Sequence, residues 1–200
     1  MNQAAAATFT LPAGTIDHRG VGWWGLLCAI ATEGALFGYL LFAYYYYAAE
    51  LGNNWISGPL PSFRLALPNT IILLASSATV WSAERAMKRD QRKTSLLWLS
   101  ATLVLGIVFV VIQLFEWKSK TFTPATSSYG STYFTLTGFH MAHVAAGLIG
   151  LALAILWCAR NYFDSRRHVP LLIVSGYWHF VDAVWLCVFF TIYVSPRFWS

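Results

Sequence analysis

The 200 residues include 13 lysines and arginines and 8 aspartates and glutamates, so only 10% are charged, against roughly 25% in an ordinary soluble domain. With 58% hydrophobic and 17% aromatic residues, there is too little charge to coat a water-facing surface, and the composition is the opposite of a disordered chain. A polytopic membrane protein remains.

A net charge of +5 does not point to nucleic acid as a partner. The basic residues sit in short loops between apolar runs, where lipid head groups and the insertion machinery meet them. Cys28, Cys158 and Cys187 are odd in number, far apart and without a CxxC, so they signal neither a disulfide frame nor a zinc ribbon and read as buried, inert thiols.

Residues 1–22 read as a polar tail, with no long apolar core behind a basic start and hence no cleavable signal. Five apolar runs follow, each near the roughly 20 residues a helix needs to cross a bilayer. They extend from Trp23 to Tyr47, Leu65 to Ala83, Ser95 to Trp117, Tyr133 to Trp157 and Pro170 to Val194, and residues 195–200 form a short tail. No run contains Lys or Arg. Lipid offers no partner for open backbone groups, and the runs are solidly apolar rather than alternating, so the expected fold is an all-α bundle of five transmembrane helices. Trp23, Trp24, Tyr44 through Tyr47, Trp117, Tyr133 and Trp157 lie where an aromatic belt anchors and packs. The Gly34/Gly38 pair, and Ala142, Ala146 and Gly150 at spacing four, predict close helix association, within the chain or with a partner. There is no internal repeat, and an odd number of spans argues against an inverted-repeat transporter.

The loops set an expected topology. Arg19, Arg85, Lys88, Arg89, Arg92, Lys93, Arg160, Arg166 and Arg167 fall on one side; Arg64, Lys118, Lys120 and Arg197 fall on the other. The nine-to-four split predicts an N-terminus inside and a C-terminus outside.

Six titratable side chains interrupt the apolar runs: Glu33, Glu116, His140, His143, His179 and Asp182. An ion in hydrocarbon costs at least about 2.5–3.5 kcal/mol, so such residues face the bundle interior, line a polar cavity or stay neutral. At 1.5 Å per residue, Glu33, His179 and Asp182 lie about 15, 13 and 18 Å from the inner edge, in a central band with His143. Glu116, in the last turn of the third run, reads as a snorkelling interfacial carboxylate. His140 and His143 share a helix face, as do His179 and Asp182. Imidazole suits iron, copper and zinc, so a metal or haem site is one reading. Hydrogen bonding between helices is the other. Glu33 would donate a hydrogen bond if neutral and pass protons if it titrates. A metal-binding membrane enzyme and a stand-alone proton-coupled transporter are therefore both compatible with spacing alone.

Longer segments narrow the choice. YGSTYFTLTGFHMAHVAAG (Tyr129 to Gly147) and YWHFVDAVWL (Tyr177 to Leu186) resemble signature segments of haem–copper oxidase subunit III. ATEGALFGYLLFAYYYY (Ala31 to Tyr47) resembles that family's glutamate-bearing helix, and LPNTIILLASSATVW (Leu67 to Trp81) and QLFEW (Gln113 to Trp117) follow in the family's order.

The resemblance implies an integral-membrane subunit of a proton-pumping terminal oxidase that reduces dioxygen to water. It implies that this chain has no catalytic residue, metal or redox centre of its own. Haems and copper would reside in subunits I and II, and this chain would pack on subunit I, hold structural phospholipid, and support proton uptake and core stability. Glu33, Glu116, His140, His143, His179 and Asp182 match the family's buried polar positions, as candidates for interhelical bonding, proton handling or lining a lipid cavity. His143 and Arg160 are candidate lipid contacts, although Trp157 stands where the family carries its basic lipid contact and Arg160 follows about one turn later. The resemblance is to the short, five-helix bacterial form. Long members have two more N-terminal helices, whose cleft holds lipid. Short members serve cytochrome c oxidases, quinol oxidases and, as accessory proteins, nitric oxide reductases. Glu33, where some quinol-oxidase members carry Asp, favours cytochrome c as donor, and a bacterial plasma membrane is the expected location.

Overall fold

The computed structural model describes residues 20–52, 55–56, 60–163 and 168–198. Most of the expected N-terminal tail, together with Arg19, Arg166 and Arg167, lies outside the described residues. Among those described, the architecture is entirely helical: α1 (Val21–Leu51), α2 (Phe63–Lys88), α3 (Arg92–Lys118), α4 (Ser128–Ala159) and α5 (Val169–Phe189), the last continuing through a π-helical turn, Phe190–Val194, and a 3₁₀ turn, Ser195–Phe198. All five are long and apolar enough to cross a membrane. Each extends somewhat beyond its apolar run, carrying the polar flanks with it.

The helix ends follow local chemistry. Ser62 and Ser127 cap α2 and α4 by accepting the amides of Arg64 and Gly130 at 3.2 and 3.1 Å, which satisfies donors that a helix start leaves open. Two helices end on left-handed residues, Asp90 and Asn161. Behind each, crossed amide bonds run back to Met87 and Ala86, and to Cys158 and Trp157, which is the geometry of a Schellman stop. Arg92, at the start of α3, donates to Asn161 Oδ1 and to the Phe163 carbonyl at 3.0 Å, tying the α2–α3 turn to the end of α4. At the opposite end Arg197 donates to the carbonyls of Tyr193 and Pro61, the latter at 2.8 Å.

α5 is the central element, packing on α1, α2 and α4, while α2 and α3 form a close antiparallel pair. Lipid is as apolar as leucine, so packing and hydrogen bonds hold membrane helices together more than hydrophobicity does. α5 supplies both through two fully buried tryptophans, Trp178 and Trp185, two turns apart on one face. Trp178 fits where two neighbours have no side chain: a Cβ on Gly106 of α3 would lie 2.8 Å from its Cη2, and one on Gly147 of α4 would lie 2.8 Å from its Cε3. Its indole donates to Ser76 Oγ of α2 at 2.9 Å. Trp185 donates to Thr70 Oγ1 of α2 at 3.0 Å and lies edge-on to Phe109 of α3, ring centroids 4.9 Å apart.

Of the small-residue stripes, Gly150 meets Val174 of α5 at 3.7 Å, but the tightest approaches within the chain lie elsewhere. Gly38 has open space at its Cβ position and Gly34 meets only Phe180 at 3.9 Å, while Ala142 and Ala146 are exposed on the bundle surface. The tight approaches fall instead at Gly106 and Gly147, because the tryptophan to be accommodated comes from α5. Tyr44 and Tyr133 are fully buried packing groups, whereas Trp24 and Tyr46 remain outward-facing. Of the cysteines only Cys158 is buried; Cys28 and Cys187 lie on outer helix faces. Leu97, Val104, Ile107, Val111 and Phe115 line an exposed face of α3, a surface suited to lipid rather than water.

Gly147→Val should overpack the Trp178 slot at a cost of about 1–3 kcal/mol, and Trp178→Ala should empty it at about 3–5 kcal/mol. Thermal unfolding of the detergent-solubilised protein should show both losses, with Ala146→Val near wild type as the exposed neighbour control.

Candidate functional site

The expected titratable positions resolve into separate interhelical clusters rather than one centre. Glu33 of α1 and His143 of α4 form the first. Glu33 Oε2 lies 2.9 Å from His143 Nε2. His143 Nδ1 is 2.7 Å from the Phe139 carbonyl one turn back. That carbonyl can only accept, so Nδ1 carries a hydrogen and Nε2 is left to face Glu33. Phe37 leans on the imidazole edge-on with centroids 5.0 Å apart, and Tyr177 of α5 donates to the His143 carbonyl at 3.4 Å. The side chains of His143 and Glu33 are 14% and 37% exposed, so the pair sits at the margin of the bundle.

The second cluster joins α2 and α5. Ser77 Oγ is 2.8 Å from His179 Nδ1 and also donates to Asp182 Oδ2. Asp182 is buried, and its Oδ1 has no hydrogen-bond partner. Further along the groove Glu84 of α2 accepts from Lys88 Nζ at 2.5 Å and from Ser175 Oγ of α5 at 3.3 Å.

The third cluster lies at the end where α3 meets the π turn. Glu116 is 2% exposed instead of snorkelling outward. Its Oε1 accepts from Tyr193 Oη at 2.5 Å and from Lys120 Nζ at 3.0 Å. The extra residue that a π turn inserts re-aims the side chains after it, and Tyr193 sits inside that turn. A tyrosine and an ammonium thereby compensate an acid that the apolar surroundings alone would not accept.

His140 belongs to none of these. It is fully buried, neither ring nitrogen has a hydrogen-bond partner, and its ring lies tilted at 35° against Trp185 with centroids 4.8 Å apart. Its expected interhelical hydrogen bond is absent among the described residues; sharing a helix face with His143 did not bring it to the same partner. Arg160 caps α4 at the exposed end. It stands 17 residues from His143, about 25 Å along the helix, so these two lipid candidates cannot hold one head group between them. Among the described residues no three His, Cys, Asp or Glu side chains converge as a metal cluster.

Ser77, Glu84, Tyr177 and Tyr193 are participants that the acids and histidines inside the apolar runs do not reveal. Ser77 carried a usable signal, a Ser–Ser pair in the middle of an apolar run. Glu84 fell one residue beyond the expected end of its run. Tyr193 had none, since the π turn is invisible in the pattern.

A five-helix membrane bundle whose acids within the apolar runs are each engaged by a group on a neighbouring helix is defined by these observations. A family model for cytochrome c oxidase subunit III matches residues 6–200. Similar proteins are the cytochrome c oxidase subunit 3 of Pelomedusa subrufa, 36% identical, and those of Drosophila melanogaster and Tetraodon nigroviridis, each 37% identical. Each alignment runs over 177 residues and covers 85% of this chain and 68% of the relative. The chain belongs to the cytochrome c oxidase subunit III family and is a membrane subunit of a terminal oxidase complex.

Glu33→Gln should keep the α1–α4 tie, because an amide can either donate to or accept from Nε2. Glu33→Ala should lose about 1 kcal/mol, within the range of interhelical hydrogen bonds in membranes. Thermal stability measured on both variants checks this, and equal losses would refute a hydrogen-bonding role. Tyr193→Phe should cost more, about 1.5–3 kcal/mol, since it strips a donor from a buried acid; the same assay reads it.

Proposed function

We propose that this chain carries no redox centre and is non-catalytic by itself. In this reading it packs on subunit I of the oxidase, with subunit II and the other subunits in the same complex. Haems and copper reside in those partners, while this chain holds phospholipid, supports proton uptake and protects the catalytic core. The observation that carries the reading is the Glu33–His143 pair, which commits the family's buried glutamate and one of its histidines to each other across α1 and α4. His179 is likewise engaged by Ser77, and His140 is packed against Trp185. The imidazoles thus have interhelical roles that suit a scaffold and proton-handling part.

Glu33 in place of Asp favours cytochrome c over quinol as the electron donor. The resemblance to short members favours a bacterial plasma membrane. Arg85, Lys88, Arg89, Arg92, Lys93 and Arg160 at one end of the bundle support an N-terminus inside and a C-terminus outside. Arg160, exposed at that end, is the proposed contact for a phospholipid head group.

Affinity purification of the tagged chain from its native membrane should bring down a haem-bearing partner whose visible spectrum names the haem types. Recovery of a lone, colourless chain would overturn the proposal.

A further inference from the structure

The groove between α2 and α5 holds a file of polar groups. It starts at Lys88, bonded to Glu84 at 2.5 Å, and passes to Ser175, which donates to Glu84 at 3.3 Å. His179 follows Ser175 one helical turn further along α5. His179 meets Ser77 at 2.8 Å, and Ser77 reaches Asp182. From Lys88 to Ser77 the file descends 11 residues of α2, about 16 Å toward mid-membrane. Spacing aligns it: Ser77 and Glu84 are two turns apart on one face of α2, and Ser175, His179 and Asp182 follow one another at four and three residues on α5.

We propose that His179, Ser77 and Asp182 form a proton-loading relay, entered past Glu84 from the end of the bundle that holds the α2–α3 turn. The proposal rests on the reading of this subunit as a supporter of proton uptake, and deepens it by naming a route and a terminus. In the unloaded state Ser77 gives its single hydrogen to Asp182, so its oxygen accepts Nδ1–H of His179. A proton arriving at His179 Nε2 lets Nδ1–H pass to Ser77 Oγ, while the hydrogen of Ser77 passes to Asp182 Oδ2. The loaded state has a neutral imidazole protonated on Nε2, a Ser77 hydroxyl now donating to Nδ1, and a neutral carboxylic acid donating to Ser77. One proton enters, two hydrogens shift, and nothing else is consumed.

The groups facing the file are few. Glu84 and Lys88 belong to it, and Arg85 is held over the Trp81 ring at 3.8 Å. On the opposite side of α5, Tyr177 turns toward His143 of α4 and Glu33 of α1.

Infrared difference spectroscopy of the resting, purified oxidase complex tests the relay. A carboxylic C=O band should appear on acidification and vanish in Asp182→Asn. Its exchange on transfer to D₂O should slow by about 100-fold or more in Ser77→Ala, the scale on which a positioned proton-transfer group acts, and recover in Ser77→Thr. His179→Gln, a second route to the same outcome should Ser77→Ala not assemble, should slow exchange likewise. The absence of any Asp182 band, or wild-type exchange in Ser77→Ala or His179→Gln, overturns the relay. Proton uptake during turnover that is unchanged when the whole subunit is stripped counts against the functional reading instead. The exchange rates come from the resting enzyme, so the two failures are distinguishable.

Discussion

The slot that receives Trp178 sets the orientation of α5, and the rest of the bundle's chemistry depends on that orientation. Helices in lipid gain little from hiding apolar surface against each other, so contact quality decides their rotation. The indole lies against two glycines on different helices and bonds a serine on a third, and only one rotation of α5 satisfies all three. Successive residues of a helix project about 100° apart. With Trp178 fixed between α3 and α4, Tyr177 must turn toward His143, and His179 must turn toward Ser77 on α2. Both polar clusters on α5 are thus aimed by an apolar fit.

Hydroxyls elsewhere follow a simpler rule. Thr32, Thr70, Ser82, Ser100 and Thr132 bond back to carbonyls three or four residues earlier, which satisfies them within their own helix. Such residues cross an apolar medium without needing a neighbour. The acids and imidazoles cannot do this fully, and they join helices as the indoles of Trp178 and Trp185 do. Glu116 carries the principle furthest: its compensation comes from Lys120 in the following turn and from Tyr193 on a distorted segment at the far end of the chain.

Fold class was legible because lipid imposes it: a solidly apolar run of the right length admits one backbone solution. The pairing of Glu33 with His143 and the association of His179 with Asp182 were legible only as a shared depth and a shared helix face. Depth does not say which neighbour a face meets, and so His140, one turn from His143, ends against Trp185 with no hydrogen bond. The glycine stripes did not mark the tightest approaches within the chain, for a related reason. Small residues permit a close approach without demanding it, and the approach occurs where a large ring must be housed, at Gly106 and Gly147 rather than at Gly34 and Gly38. Tyr193 escaped because a π turn breaks the 3.6-residue period on which its direction would be read.

The two mid-membrane acid–imidazole clusters differ in a way that bears on what each can do. In the Glu33–His143 pair, Nδ1–H is committed to the Phe139 carbonyl. The shared proton then sits either on the carboxyl or on Nε2, and the pair is neutral overall in both cases, so moving it leaves the net charge in the membrane unchanged. That suits a tie between α1 and α4 with an internal proton position. In the α2–α5 groove the acid and the imidazole do not touch directly; a hydroxyl that can both donate and accept stands between them, and one oxygen of Asp182 has no partner. Two hydrogen patterns of opposite direction fit those atoms, and they differ by one proton. A cluster whose two arrangements hold different numbers of protons can take up charge from outside the groove.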